Sequence, residues 1–169
     1  TEQRAAEDKL THALSELDII FNYASVGIAL FVDRRFVRVN KTYEVMFGWS
    51  AAELIGQTAR RLFASDEAYA AIDDVYKKLA VGENILRLDL EVRCADGRDI
   101  LCECVSSYVD PSDPAKGVVW LATDVTDLRH AQTALQNARD DALAQKTLVE
   151  QQHILVAQTL KHVATLLNN

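Results

Sequence analysis

The sequence has little of what several protein classes require. Its 169 residues include three cysteines, two prolines and four histidines, and no apolar run approaches the roughly 20 residues that would span a bilayer. No membrane contact by this chain is expected, and its charged opening residues lack a signal peptide's apolar stretch, which points to the cytoplasm. The cysteines, Cys94, Cys102 and Cys104, crowd one short region without metal-type spacing or a neighbouring histidine. No metal site is expected there, and they read as small buried hydrophobes. The 18 basic residues are outnumbered by 25 acidic ones, for a net charge of -7, so nucleic acid is not an expected partner. No nucleophile with its base, paired carboxylates or metal cluster stands at a workable spacing, so the chain is not expected to be an enzyme.

What is present suffices for one domain with appendages. An apolar fraction of 49% with only six glycines speaks against disorder. The first residue is Thr1 and the last ones lie within a helical pattern, so a piece of a longer protein is expected. From Glu2 to about Asn22, Ala6, Leu10, Ala13, Leu14, Leu17 and Phe21 recur at helical spacing. Val26 to Val32 then reads as a strand, Asp33-Arg34-Arg35 as a turn, and Phe36 to Val39 as an alternating return strand. Asn40 is placed to cap a helix from Lys41 to Phe47, ended by Gly48, and Ser50 with Glu53 has the spacing of a capping box for a helix ending at Gly56. A turn over Ala59 to Phe63 precedes a helix from Asp66 to Ala80, with Ala68, Ala71, Ile72, Val75, Tyr76 and Leu79 on one face. Leu86, Leu88, Leu90 and Val92 alternate with charged residues as a half-buried strand, and Asp96-Gly97 turns into a strand from Asp99 to Val109. A loop with both prolines leads to a last strand from Gly117 to Thr123. The expected fold is therefore α+β, with five antiparallel strands and helices on one face.

After Thr126 there is neither Gly nor Pro, and Leu128, Leu135, Ala142, Val149, Val156 and Val163 recur every seventh residue. A second seam, Ala131, Ala138, Gln145, Gln152, Thr159 and Leu166, is polar in its middle. About 60 Å of helix cannot bury such a seam on one small domain, so a parallel homodimeric coiled coil is expected. Leu10, Leu14 and Leu17 of the first helix are expected to assist it and to cover the outer sheet surface around Leu101 and Val105.

Several segments, in this order, resemble the PAS family of bacterial sensor domains. They are Val26-Gly27-Ile28-Ala29-Leu30, Phe36 to Asn40 and Phe47-Gly48-Trp49-Ser50 through Gly56, then Gly82-Glu83, Arg93 through Gly97 and Asp124-Val125-Thr126. The resemblance divides the chain into an N-terminal helix (1–22), a PAS domain (23–125) and a signalling helix (126–169). It implies a module that senses a ligand, light, redox state or gas and passes its state to an output domain in the same polypeptide, a histidine kinase or a cyclic-di-GMP enzyme. The alternative is a dimerisation and spacer module that binds nothing. Asp124, Val125, Thr126, Leu128 and Leu135 are the implied relay, with Thr126 as cap of the signalling helix and Asp127 complementing its dipole. Val163 to Asn168 is similar to the start of a diguanylate cyclase domain, without the acidic residue expected before it.

The same resemblance places a pocket between sheet and helices. Met46, Tyr76, Leu88, Leu90, Val92, Cys102, Cys104, Ser106, Tyr108, Trp120 and Ala122 are the residues expected around it. Light-sensing flavin members carry a cysteine where this chain has Ala59, and Val92, Cys102 and Ala122 occupy positions that supply amides to the flavin there. Haem members use a histidine on the long helix, whereas His12, His130, His153 and His162 all lie outside the expected core. Neither haem nor flavin is expected. Trp120 reads either as core or as the wall of a site for a small apolar or aromatic ligand, with Tyr108 or Ser106 as a polar contact.

Overall fold

A computed structural model describes residues 1–83 and 85–167. The last two residues of the expected signalling helix, Asn168 of the cyclase-like stretch among them, lie outside the described residues. The chain divides into two compact units, residues 1–126 and 127–169.

In the first unit, α1 (Glu2–Tyr23) leads into a sheet of β1 (Gly27–Val32), β2 (Arg35–Val39), β3 (Leu86–Arg93), β4 (Asp99–Tyr108) and β5 (Val118–Asp124). The strands lie in the order β2-β1-β5-β4-β3, and every neighbouring pair is antiparallel. Between β2 and β3 run α2 (Lys41–Phe47), α3 (Ala51–Leu54), a 3₁₀ turn (Ala59–Leu62) and α4 (Asp66–Ala80). The inner face of the sheet packs against these helices in one core that includes Phe36, Phe47, Leu54, Leu79, Cys102 and Trp120.

Local chemistry explains most boundaries. The Asn40 side chain accepts from the Tyr43 N–H to start α2, and Gly48, at φ 74°, ends it in the left-handed conformation that glycine tolerates. Ser50 and Glu53 form the expected capping box. The helix behind it stops at Leu54 and not at Gly56, because Gly56 N–H donates to Phe36 O at 2.8 Å and so serves the edge of β2. Ser65 caps α4 by accepting from Ala68 N–H.

Three expectations need correction. Phe36 to Val39 does not simply alternate: the register slips between Leu30 and Phe31, so a bulge in the β1–β2 pairing turns both Phe36 and Val39 inward and leaves Val37 out. The β1–β2 turn is two residues, Asp33 and Arg34, both left-handed at φ 49° and 61°, and Arg35 already belongs to β2. On α4, Ala68 and Ala71 are exposed, and Tyr69 packs against the core instead, with Ile72, Val75, Tyr76 and Leu79.

The first helix departs from one of its two expected roles, covering the outer sheet surface. It has no buried residue, and Leu10, Leu14 and Leu17 are 62%, 57% and 62% exposed. Its last turn is what docks: Arg38 Nη2 donates to Asp18 Oδ1 at 2.8 Å with its guanidinium over the Phe21 ring, and Asn40 Nδ2 donates to Phe21 O. Held there beside β2 and α2, it does not cover Leu101 and Val105, which stay half-buried.

The second unit is the helix α5 (Thr126–Leu167) beyond its first residue, and no residue of that helix is buried. Leu128, Leu135, Val149, Val156 and Val163 of its heptad seam are all exposed. Among the described residues no helix is long and apolar enough to cross a membrane.

Candidate functional site

Between the inner face of the sheet and the helices the side chains leave a cavity of about 50 Å³. The sheet contributes Phe31, Leu90, Val92, Cys104, Trp120 and Ala122 to its wall. Opposite stand Tyr43 and Phe47 of α2, Ala59 and Leu62 of the 3₁₀ turn, Phe63, and Tyr69, Ile72 and Tyr76 of α4. A water-sized group needs about 10–15 Å³ of such space, so three to five non-hydrogen atoms fit. Benzene occupies an engineered apolar cavity of about 150 Å³ in another protein, so an aromatic ligand requires a wall side chain to move.

One charged residue, Arg34, reaches this wall from the β1–β2 turn. Its Nη1 donates to Asp73 Oδ1 on α4, and its guanidinium carbon lies 4.5 Å from the centre of the Tyr76 ring. Burial raises the pKa of Tyr76, and a polar side-chain contact with Trp120 offsets part of the rise. Burial likewise pushes the Cys104 thiol up to about 12 and raises Cys102 and Cys94. All three are protonated at neutral pH and lack the thiolate a nucleophile needs.

Tyr76, Leu90, Val92, Cys104, Trp120 and Ala122 of the expected pocket residues meet at the cavity. Met46, Leu88, Cys102, Ser106 and Tyr108 do not line it. Tyr43 and Phe47, four apart on α2, are the residues that helix turns inward, and they leave Met46 half-buried at the side. Leu88, Cys102 and Ser106 share the inner sheet face and pair with the cavity residues Cys104, Leu90 and Trp120, and Tyr108 pairs with Val118, yet none of the four borders the cavity. Ser106 is fully buried opposite Trp120 on β5 and Leu86 on β3, and its hydroxyl has no hydrogen-bond partner among the described residues. A buried unsatisfied polar group costs about 1–3 kcal/mol, so Ser106→Ala is expected to raise the unfolding free energy by about 1 kcal/mol in a urea titration. A loss of stability instead would mean that the hydroxyl is satisfied in solution.

From the cavity, β5 runs to a hydrogen-bonded junction. Val125 N–H donates to Leu101 O at 2.9 Å, and Leu101 N–H donates to Thr126 Oγ1 at 2.9 Å. Thr126 Oγ1 in turn donates to Asp124 Oδ1 at 2.6 Å, and the same carboxylate oxygen accepts from Thr126 N–H at 3.0 Å. Asp124 therefore satisfies the Thr126 N–H at the helix start, the role expected of Thr126. The Thr126 hydroxyl ties that start to β4. Val125 is buried, whereas Leu128 and Leu135 are 56% and 73% exposed.

The PAS fold family matches this chain over residues 24–130, which contain both the cavity and this junction. The chain belongs to the PAS fold family. Its N-terminal helix precedes the matched PAS segment, and most of α5 follows it. The sensor protein TdiS of Thauera aromatica is 29% identical over 158 residues, 94% of this chain and 27% of that protein, so the chain spans about a quarter of that relative's length. Among solved structures, the PAS domain of a LuxR-family transcriptional regulator from Burkholderia thailandensis, in complex with ethanol, is 23% identical, with a TM-score of 0.56 over 63% of this chain and 94% of that one. A PAS domain from Colwellia psychrerythraea is 17% identical, with a TM-score of 0.60 over 68% of this chain and 98% of that one.

Sequence reasoning missed Phe31 on β1, Tyr69 and Ile72 on α4, and the cavity residues outside the strands and α4. The left-handed turn delivers Arg34, and the capped α2 delivers Tyr43 and Phe47. The i,i+4 spacing of Tyr43 and Phe47 behind a clear N-cap was a usable signal; nothing local marks Arg34. Ala59, aligned with the reactive cysteine of flavin members, does line the cavity.

Proposed function

We propose that this chain is the sensory module of a longer signalling protein, that it binds a small organic molecule in the cavity, and that a parallel homodimer relays occupancy through α5. The continuity of β5 carries this reading: Trp120 and Ala122 form cavity wall, and four residues beyond Trp120 the strand ends in the Asp124–Thr126–Leu101 junction. A wall displacement at Trp120 moves the strand end, and the hydrogen bonds to Leu101 make the helix start follow. The ligand acts only by its differential affinity for two arrangements of the helix pair, which the polar seam at Gln145 and Gln152 keeps close in free energy.

The cavity's size favours a ligand of a few non-hydrogen atoms over haem or flavin, and the Burkholderia neighbour holds ethanol, a molecule of that size. The exposed seam on α5 supports a second copy as partner. The name of the Thauera relative supports a sensory role. In this reading catalysis is left to an output domain, a histidine kinase or a cyclic-di-GMP enzyme.

The test uses spin labels at Gln145 and Gln152 in the full chain and in Trp120→Phe, which trims the wall without emptying it. Cross-chain distances are expected to differ between the two proteins, and truncation at Thr126 is expected to weaken the dimer in sedimentation velocity. A monomeric full chain at micromolar concentration, or unchanged distances in the folded variant, would overturn the relay.

A further inference from the structure

Among the described residues, Arg34 is the one charged side chain in a wall that is otherwise aromatic, aliphatic or small. Its use is only partial. Nη1 is committed to Asp73, whereas Nε and Nη2 have no hydrogen-bond partner among the described residues. Stacking over Tyr76 holds the guanidinium plane, and such a plane presents its N–H donors at the edge, in the fork geometry that fits a carboxylate. Among the described residues no acidic side chain lines the cavity to compete, and Asp73, like Arg34, has a side chain nearly half exposed.

We propose that the cavity takes a short-chain carboxylate, its apolar body against the Trp120 wall and its carboxylate on the Nε/Nη2 edge of Arg34. This rests on the sensory reading above and narrows it to a chemical class. A body of two or three carbons matches the cavity volume of about 50 Å³, with the charged head at the Arg34 end, where water still reaches. A neutral alcohol of equal length would fill the same space without using the fork. The surface-exposed Arg34–Asp73 pair is of the kind that contributes little to stability, so Arg34 can adjust to the ligand at small cost.

The experiment is an NMR titration of the full chain with propionate, propionamide and 1-propanol, followed at the Trp120 indole N–H and the Arg34 Nε–H. Propionate is expected to bind at least about tenfold tighter than either neutral analogue, as two charge-assisted hydrogen bonds require. Arg34→Gln is expected to remove that advantage while leaving 1-propanol unchanged. Asp73→Asn, which removes the competing carboxylate, is expected to strengthen propionate. If the three probes bind alike, or Arg34→Gln leaves propionate unaffected, the carboxylate class is wrong and the sensory reading stands. If Asp73→Asn weakens propionate as much as Arg34→Gln does, Arg34 acts as a structural latch and the proposal fails. If none of the probes shifts either signal, both the class and the small-ligand reading fail.

Discussion

Asn40→Ala is expected to lower the unfolding free energy by about 4 kcal/mol, far more than the loss of a helix cap, which costs about 1 kcal/mol. The side chain is fully buried and uses all of its hydrogen-bonding capacity. Its Oδ1 accepts from Ile28 N–H at 2.8 Å and Tyr43 N–H at 2.9 Å, and its Nδ2 donates to Phe21 O at 2.8 Å and Val26 O at 3.0 Å. Alanine strands these backbone groups, each at about 1–3 kcal/mol less what water entering the gap recovers. Asn40→Asp separates the two halves of the network. It keeps both acceptor bonds but sets a carboxylate oxygen against the carbonyls of Phe21 and Val26. Burial and those carbonyls would raise the carboxyl's folded pKa above its unfolded value, so stability is lost as pH rises through the unfolded and then the folded pKa. The deficit of Asn40→Asp relative to the parent is therefore expected to be larger at pH 7.5 than at pH 4.5 in denaturant titrations. Equal deficits at the two pH values would mean that the Nδ2 bonds contribute nothing. Amide exchange in the last turn of α1 should quicken in both variants, because Phe21 loses its tether.

Gly117→Ala is expected to be comparably damaging, at least about 3 kcal/mol, for a different reason. A Cβ at this position would stand 2.2 Å from Phe31 O and 2.9 Å from Val32 Cγ2, and the backbone is left-handed at φ 101°. Overpacking costs about 1–3 kcal/mol, and the left-handed backbone adds roughly 1–2 kcal/mol for a residue with a Cβ. Gly56 supplies the control. Its φ is 81°, but nothing lies within 4 Å of an added Cβ, so Gly56→Ala should show the conformational cost alone. Similar midpoints for the two variants would mean that β1 and β5 yield freely at this point. Since Phe31 pairs with Val118 and both Phe31 and Trp120 face the cavity, the change should also alter small-molecule binding.

The elements of this fold were legible because their signals are local and agree with one another. Ser50 with Glu53, Asn40 before α2, Gly48 after it and Asp96-Gly97 between β3 and β4 each act within a few residues. Period-two alternation likewise put Cys102, Cys104 and Ser106 on the inner face, where they lie. What stayed hidden depends on distant partners. The bulge at Leu30–Phe31 arises from pairing with β2, so Val37 looked like any alternating residue. The donors of Asn40 reach carbonyls on the far side of the β1–β2 hairpin. Small alanines on two sides of α4 gave its hydrophobic stripe two possible centres, and only packing chose the one through Tyr69. For the cavity, face was readable and depth was not: alternation says that Leu88, Leu90 and Val92 point the same way, but not which of them borders an empty space.

The left-handed pair at Asp33-Arg34 sets stability and recognition in opposition. A hairpin turn of this geometry is best served by Asn-Gly, and an ordinary residue at positive φ costs roughly 1–2 kcal/mol. Arg34→Gly would relieve that cost at one of the two positions and is the change a thermostability screen would select. It would also delete the only cation that the described residues bring to the cavity wall. Melting temperature and ligand discrimination should therefore trade against each other at this turn, and a stabilised version of the domain that retains its response is expected to have gained its stability elsewhere.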